Sequence, residues 1–168
     1  MGILIETDRL IMRKFDTNDV DAVFEFASSP VVARFTLDAV VHTREEAARI
    51  IQEIWLREYE IYGYARYALV YKGENKVIGF CGMKYEPELG APDLGYRMLP
   101  QYWAQGLGTE AASAALQYAR NSLGLRRIMA EAVRENEASG RILLKIGFQL
   151  ILTYVQDGYT IDRYESNP

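Results

Sequence analysis

Residues 64–100 constrain the fold of this chain more than any other segment. Three successive runs in this segment follow a period of two in their apolar residues, which predicts three β-strands. The first two runs are joined by Lys72-Gly73-Glu74-Asn75, a turn sequence typical of a β-hairpin, and the third ends at Pro100. Strands that follow one another without intervening helices predict a mainly antiparallel sheet rather than a regular alternation of strand and helix.

Helical patterns flank this segment on both sides. Before it, the apolar periodicity predicts helices at residues 16–29 and 43–63, the second opened by the capping sequence Thr43-Arg44-Glu45-Glu46. The inward side of the second helix would carry Ala47, Ile50, Ile51, Ile54 and Trp55. After it, helices are predicted at residues 109–123 and 137–147.

Further strands complete the predicted sheet. They lie at residues 9–15 and 126–135 and in a closing hairpin that turns at Asp157-Gly158. Because there is no internal repeat, low-complexity run or linker, the sequence predicts a single domain over residues 1–168. We therefore expect a mixed α/β (α+β) fold, with a central, mainly antiparallel, twisted sheet of about six to seven strands flanked by about four helices.

The composition narrows the possible function classes. The chain has 168 residues, a formal net charge of −4, one cysteine and one histidine. The negative charge argues against nucleic-acid binding, which favours a basic face. The single cysteine, Cys81, excludes an internal disulfide, and with one histidine we expect no Cys/His metal cluster. No signal-length apolar run opens the sequence and no segment approaches a membrane span, so we expect a cytoplasmic protein without a membrane partner.

The segment Gly106–Ala111 matches the pattern of a dinucleotide-binding loop, and Glu131 follows at the spacing of the acidic residue of that motif. Its surroundings do not fit such a site. Residues 100–103 separate it from the preceding strand, the strands before it are predicted to be antiparallel, and the chain ends in a hairpin. A Walker-type loop is excluded because no Lys-Ser/Thr pair follows the glycines. The dinucleotide site is therefore the minor alternative.

The two glycines still indicate a phosphate cradle. Gly106 and Gly108 let the backbone approach a ligand closely. A helix that begins near Thr109 adds its unpaired N–H groups and the positive end of its dipole. Such a site can hold a pyrophosphate without a lysine. The alternative is a tight turn into the helix that binds nothing.

A second motif, Asn136–Phe148, favours a functional site. Asn136 ends a predicted strand, Ser139 lies near the start of a helix, and Gly147-Phe148 lead back into the sheet. Either polar residue alone could be a helix cap. In combination with the glycine loop and this order of helices, the motif favours a ligand site over two unrelated caps.

Three segments resemble the GNAT superfamily of acyl-CoA-dependent N-acetyltransferases, and within it the RimJ/RimL-like branch. They are TDRLIMRKF near the start, LGYRMLPQYWAQGLGTEAASAAL in the middle and VRENEASGRILLKIGF near the end. The resemblance implies a GNAT fold with a central sheet splayed in the middle, and acetyl-CoA as cosubstrate. The residues it implies for cofactor binding are Met98, Leu99, Trp103, Ala104, Gln105, Gly106, Leu107, Gly108, Thr109, Asn136 and Ser139.

The loop departs from the superfamily pattern at two positions. The resemblance implies that the backbone N–H groups of residues 105–109 cradle the pyrophosphate of CoA. Trp103 stands where the superfamily usually has Gln or Arg, as is common in this branch, and Ala104 replaces a frequent glycine. We expect the change at Ala104 to matter little, because the backbone still donates.

The same resemblance implies transfer of an acetyl group to a primary amine, on a protein N-terminus or a small molecule, by direct attack in a ternary complex. A backbone N–H near Tyr96 would stabilise the oxyanion. The base would be Asp93 or an ordered water, and Asp93 could equally be a solvated carboxylate at a strand edge. Ser139 would protonate the departing thiolate, with Tyr96 or Tyr102 as possible substitutes. Asn136 would bind the pantetheine amide or order a water.

Two alternatives from other classes stay open at this point. One is a CoA-binding regulatory module without turnover, and the other is a dinucleotide-binding oxidoreductase. Glu110, in the first turn of its helix, is expected to interact with the helix dipole. Phe35 lies in a segment that lines the acceptor side in this family. The expected partners are acetyl-CoA and an amine acceptor, with no metal, and the protein would be a monomer or a homodimer.

Overall fold

Eight strands form one sheet in the part of the chain that the structure, a computed structural model, describes, which is residues 2–168. The strands lie in the order β1-β2-β3-β4-β5-β6-β8-β7. Their bounds are β1 (Ile5–Glu6), β2 (Leu10–Arg13), β3 (Tyr67–Tyr71), β4 (Lys76–Glu86), β5 (Ala91–Met98), β6 (Ile128–Val133), β7 (Gln149–Gln156) and β8 (Tyr159–Ser166). All neighbouring pairs are antiparallel except β5 and β6, which are parallel.

This sheet confirms the predicted mixed α/β fold. The strand beyond the predicted six to seven is β1, whose two residues pair with β2 and are too few to show a period in the sequence. Both predicted hairpin turns are present. Asn75 and Asp157 have φ of 51° and 52°, in the left-handed region that tight hairpin turns use.

Helices cover the sheet on both sides. Their bounds are α1 (Val20–Ala27), α2 (Pro30–Ala33), α3 (Arg44–Arg49), α4 (Leu56–Tyr62), α5 (Leu107–Asn121) and α6 (Glu137–Lys145). A π-helical segment, Ile50–Trp55, joins α3 and α4 into one continuous helix, so the described residues form five helical bodies. The body beyond the predicted four is α2, a single turn in which Ser29 Oγ accepts a hydrogen bond from the N–H of Val32 at 3.3 Å.

The continuous helix begins and ends where the sequence predicts. Thr43 Oγ1 accepts a hydrogen bond from the N–H of Glu46 at 3.1 Å. The carboxylate of Glu46 accepts in return from the N–H of His42 at 2.9 Å, one residue earlier than a capping box requires. Gly63 ends the helix with φ of 82°.

The π-helical segment changes which side chains of this helix face the core. Each i→i+5 hydrogen bond adds a residue to the turn, so a pattern of 3.6 residues per turn no longer predicts the buried side. Ala47, Ile51 and Trp55 are buried, but Ile54 is 41% exposed, and the prediction that Ile54 faces inward is wrong. Trp55 stacks on Phe15 with the ring centroids 4.2 Å apart.

Side chains of β5 alternate between two helical layers. Arg97 pairs with Phe80 of β4, whose ring contacts Phe26 of α1 with the centroids 6.0 Å apart. Met98, the next residue, projects to the other side, toward Gly108 of α5. We call the two sides of β5 the α1 face, with Asp93, Gly95 and Arg97, and the α5 face, with Leu94, Tyr96 and Met98.

The strands β5 and β6 separate in the middle of the sheet. Their ladder pairs them only at Asp93 and Met129, whereas β4 stays paired with β5 from Ala91 to Met98. Beyond Asp93, the edge of β5 that faces β6 has no ladder partner among the described residues. The predicted splay of the sheet is therefore confirmed, and it opens beside α5 and α6.

Candidate active site

The split between β5 and β6 opens into a cleft of about 950 Å³. Ten of the predicted site residues line it: Asp93, Tyr96, Met98, Trp103, Ala104, Gly106, Gly108, Thr109, Asn136 and Ser139. Three do not line it, namely Leu99, Gln105 and Leu107. The side chains of Leu99 and Leu107 are buried in the core, and the N–H of Leu99 donates to the carbonyl of Ile78 at 2.9 Å. A role for these three residues in cofactor binding would rest on the backbone of the loop.

The glycine loop has the backbone that an anion site requires. Ala104 and Gly106 have φ of 59° and 81°, and α5 begins at Leu107, two residues before the predicted start. The first helical hydrogen bond runs from the N–H of Glu110 to the carbonyl of Gly106 at 3.1 Å, and no side chain of the described chain caps this end. The preceding N–H groups are therefore left for a ligand, beside the positive end of the helix dipole.

Close packing holds this loop against α6. A Cβ at Gly108 would lie 3.1 Å from Cδ1 of Ile142 in α6 and 3.5 Å from Cε of Met98. A Cβ at this position would require the end of the Ile142 side chain to shift by a few tenths of an ångström, so the glycine allows α5 and α6 to pack closely beside the cleft.

Arg9 and Thr7 anchor the loop from the other end of the chain. Arg9 Nη1 donates to the carbonyl of Gln105 at 2.9 Å, and its Nε donates to Glu110 Oε1 at 2.8 Å. Thr7 Oγ1 donates to Glu110 Oε2 at 2.6 Å. Although burial acts to raise the pKa of Glu110, the hydrogen bonds from Thr7 and Arg9 together lower it. No role was predicted for Arg9 or Thr7, although both lie in the TDRL segment that resembles the family.

Tyr96 and Ser139 form a hydroxyl pair on the α5 face. Their oxygens are 3.0 Å apart. Ser139 is held at the start of α6 by its own N–H, which donates to Asn136 Oδ1 at 3.4 Å. Burial raises the pKa of Tyr96 to about 12, so its phenol stays protonated at neutral pH. Tyr102 donates instead to Glu74 at 2.7 Å, so Tyr96 is the tyrosine that lies beside Ser139.

Asp93 lies on the α1 face in an ion pair with Arg66. Arg66 Nη2 is 3.0 Å from Asp93 Oδ2, and the side chains are 12% and 16% exposed. Burial raises the pKa of Asp93 to about 6, and the charge of Arg66 opposes that rise. The carboxyl group is therefore mostly ionised at neutral pH but close enough to its pKa to exchange a proton.

Arg66 is a site residue that the sequence did not reveal. Its Nη1 donates to the carbonyls of Gly82 and Asp93 at 2.6 and 2.7 Å, which ties the carboxylate to the backbone of β4 and β5. A Cβ at Gly95 would lie 2.6 Å from Arg66 Nη2, so the guanidinium occupies the space above this glycine. The only signal in the sequence is a charged residue directly before the apolar strand YALVY.

Other candidate chemistries find no support in residues 2–168. No group of three or more His, Cys, Asp or Glu side chains is placed to hold a metal ion. Cys81 is buried in β4, where desolvation raises the pKa of its thiol to about 12, as expected for an unreactive strand cysteine. No helix in this range is both long and apolar enough to cross a bilayer.

Known proteins are similar to this chain in sequence and in fold. Residues 9–149 match the sequence model of the acetyltransferase (GNAT) domain. This chain belongs to the GNAT acetyltransferase family. The chain therefore transfers an acetyl group from acetyl-CoA to an amine, and the prediction of an acetyl-CoA-dependent N-acetyltransferase is confirmed.

Individual relatives of this GNAT enzyme agree with that assignment. It is 33% identical over 147 residues to the uncharacterised N-acetyltransferase YoaA of Bacillus subtilis. The aligned residues cover 87% of this chain and 82% of the relative. The crystal structure of a GNAT-family acetyltransferase from Bacillus anthracis superposes with a TM-score of 0.81 at 26% identity, over 97% of both chains.

A second solved structure has the same fold. RimL, a ribosomal L7/L12 alpha-N-protein acetyltransferase in complex with coenzyme A, superposes with a TM-score of 0.82 over 99% of this chain and 98% of its own. At 22% identity this likeness concerns the fold. It is consistent with the branch that the sequence motifs indicate.

Proposed function

We propose that residues 1–168 act as a single catalytic domain, which acetylates a primary amine at the split between β5 and β6. One observation carries the proposal. Where β5 and β6 part, the ionised carboxylate of Asp93 lies on the α1 face of β5, and the hydroxyl groups of Tyr96 in β5 and Ser139 in α6 form a pair on its α5 face. An acceptor and a thioester could thus meet at the split from opposite sides of the sheet.

The N-terminus of α5 would hold the pyrophosphate of acetyl-CoA. Its free N–H groups and the left-handed residues Ala104 and Gly106 supply donors to an anion without a lysine. From there the pantetheine arm would extend along the unpaired edge of β5 toward Tyr96. A backbone N–H of β5 near Tyr96 would stabilise the oxyanion of the attacked carbonyl.

Protons would move on both faces during the transfer. The amine nitrogen forms a bond to the acetyl carbon, and the bond from that carbon to sulfur breaks. The proton of the amine would pass to Asp93, directly or through a water. The thiolate would take a proton from Ser139, and the protonated Tyr96, 3.0 Å away, would return one to the serine. Solvent would then reprotonate Tyr96 and take the proton from Asp93, so that the transfer consumes and releases no net proton.

The proposal is tested by thiol release from acetyl-CoA over a panel of amines. The wild-type enzyme should release CoA only when an amine is present, and Ser139→Ala should lower kcat by about tenfold or more. Ser122→Ala, which changes an exposed serine after α5, is the matched control and should keep the wild-type rate. Full activity in Ser139→Ala would remove the proton-donor role of this serine, and no thiol release with any amine would overturn the proposal.

We extend the proposal to the setting in which the enzyme works. A net charge of −4 supports an enzyme without a nucleic-acid partner. We place the enzyme in the cytoplasm, where acceptor amines and acetyl-CoA are found together.

Between a monomer and a homodimer, strand β7 favours the dimer. This edge strand has no charged residue and leaves four apolar side chains 40% to 70% exposed: Leu150, Ile151, Leu152 and Val155.

A further inference from the structure

The α1 face of β5 carries a second ionised group beyond Asp93. Arg97, four residues further along, projects from the same face because side chains alternate along a strand. Its side chain is only 17% exposed, lines the cleft and lies over the ring of Phe80 at 5.0 Å from the centroid. An arginine in this position faces the space that an acceptor would enter.

The anion that balances Arg97 comes from a loop. Asp38, in the segment between α2 and α3, places Oδ2 at 2.8 Å from Arg97 Nη2, and its own side chain is 66% exposed. Burial lowers the pKa of Arg97, and Asp38 opposes that effect. Because a guanidinium this far from water is stable only beside an anion, the site favours a carboxylate. Nothing in the geometry requires that the carboxylate belong to the protein.

Three carboxylates line the opposite end of the same cleft: Asp93, Glu86 and Glu131. Each has a cation nearby, with Arg66 at 3.0 Å, Lys84 at 3.8 Å and Arg163 at 2.9 Å, respectively. Burial is the main cause of the raised pKa of Asp93, and the charges of Glu131 and Glu86 add to the rise. The acceptor side thus runs from carboxylates around Asp93 to a guanidinium at Arg97. A molecule with an ammonium at one end and a carboxylate at the other has the complementary charge pattern.

We propose that the amine acceptor also carries a carboxylate, and that Arg97 binds this carboxylate in place of Asp38. The inference rests on the proposed function, since it names the acceptor of the same site. The substrate class is a small amino-acid-like zwitterion. In the free enzyme Asp38 occupies the position of the substrate carboxylate, and it yields that position when the acceptor enters.

Matched pairs of acceptors test the inference. Each pair consists of a free amino acid and its carboxamide, which differ only at the carboxylate, and kcat/KM is measured by thiol release from acetyl-CoA. The wild-type enzyme should prefer the free acid by about tenfold or more. Arg97→Gln should bring the ratio of acid to carboxamide close to one, and Arg97→Lys, which keeps the charge but not the planar donors, should give an intermediate ratio.

Asp38→Asn gives a test that leaves the buried arginine in place. Removing the competing carboxylate should raise the ratio of acid to carboxamide, mainly through a lower KM for the acid. Arg126→Gln, which changes an exposed arginine after α5, is the matched control and should keep the wild-type ratio. A ratio that falls in Asp38→Asn, or one that is unchanged while the melting temperature drops, would show that the pair only holds the loop and would overturn the inference.

The outcomes separate this inference from the proposed function. Wild-type enzyme that acetylates acids and carboxamides equally well would overturn the carboxylate site and leave acetyl transfer intact. A peptide with a blocked carboxyl end that is acetylated faster than every carboxylate-bearing acceptor would also overturn it, in favour of a protein N-terminus. Absence of thiol release with all amines would overturn both proposals together.

Discussion

Asp93 and Tyr96 lie three residues apart on β5 and therefore project to opposite faces of the sheet. The carboxylate of Asp93 meets Arg66 on the α1 face, and the phenol of Tyr96 meets Ser139 on the α5 face. A strand with a free edge separates the group that would accept a proton from the groups that would donate one. The two proton transfers can therefore use groups whose pKa values are shifted independently of each other.

The pH dependence of the rate should report on Asp93. Burial raises the pKa of this carboxyl group to about 6, and only the ionised form can accept a proton. We therefore expect kcat/KM to be constant above the pKa and to fall roughly tenfold for each pH unit below it. Asp93→Asn should lower the plateau by ~100-fold and remove this acidic limb. Asp157→Asn, at an exposed turn, is the control, and an unchanged profile in Asp93→Asn would contradict the role of Asp93 as the base.

Tyr96 and Ser139 should behave as one unit in a double-mutant cycle. Because their hydroxyls are hydrogen-bonded, removing either breaks the same path for the proton. Tyr96→Phe and Ser139→Ala should each lower kcat about tenfold, and the double variant should lose little more than the larger single loss. Tyr102→Phe, which removes the bond to Glu74, should affect stability and not kcat. Losses that multiply in the double variant would show that the two hydroxyls act separately.

Arg66 should act as a positioning residue whose removal moves the pH profile. Since the charge of Arg66 holds the pKa of Asp93 down, Arg66→Gln should raise that pKa and shift the acidic limb of kcat/KM to higher pH. Arg66→Lys should restore part of the shift. Gly95→Ala should move the profile in the same direction, because the added Cβ would displace the guanidinium. A lower melting temperature with an unmoved limb would mean that Arg66 only supports the fold.

Two glutamates, each in the first turn of a helix, allow the anchor of the glycine loop to be measured. Glu110 and Glu137 both lie in the first turn of a helix, but only Glu110 also accepts hydrogen bonds from Thr7 and Arg9. Glu110→Ala should lower the free energy of unfolding by about 1–3 kcal/mol and raise KM for acetyl-CoA. Glu137→Ala should cost only a few tenths of a kcal/mol, the size of a dipole effect at an exposed site. Equal losses in denaturant titrations would assign Glu110 to the dipole alone.

The edge strand β7 should control the oligomeric state. Val155 is 70% exposed on a strand without charges, so pairing with a second copy would remove an apolar edge from water. We expect light scattering to give the mass of two chains for the wild type and of one chain for Val155→Lys. Val31→Lys, at an exposed apolar position of α2, is the control for added charge. A wild type that stays monomeric at high concentration would contradict the dimer.

Most of the fold could be predicted because turns and helix ends are determined by residues close together in the sequence. The turn at Asp157-Gly158 and the helix end at Gly63 depend on backbone angles that these residue types favour, and both are where the sequence placed them. The predicted start of α5 at Thr109 is two residues late. The helix begins at Leu107, because Gly106 in a left-handed conformation precedes its first residue. No residue type in the sequence marks the π-helical segment. The exposed orientation of Ile54, which depends on that segment, could therefore not be predicted.

The site also contains residues that the sequence predicts and residues that it does not. Tyr96, Asn136 and Ser139 belong to contiguous motifs, and the structure brings them to one cleft. The contact between Arg66 and Asp93 joins residues on different strands, and that of Arg9 with Glu110 joins the first strands to α5. The topology of the sheet brings such pairs together, so the distance between the two residues along the sequence does not predict the contact.

The single ladder contact between Asp93 and Met129 makes the sheet, in mechanical terms, two plates riveted at one point. One plate is β1 to β5 and the other is β6, β8 and β7, and β5 beyond Asp93 has no ladder pair with β6. A cosubstrate whose amides run along the free edge of β5 would complete the missing seam. In the enzyme without cosubstrate, we expect the amide hydrogens of β5 beyond Asp93 to exchange with solvent faster than those of β4. Binding of acetyl-CoA should slow the exchange of these β5 amide hydrogens. In this enzyme the acetyl donor would also be a temporary part of the architecture.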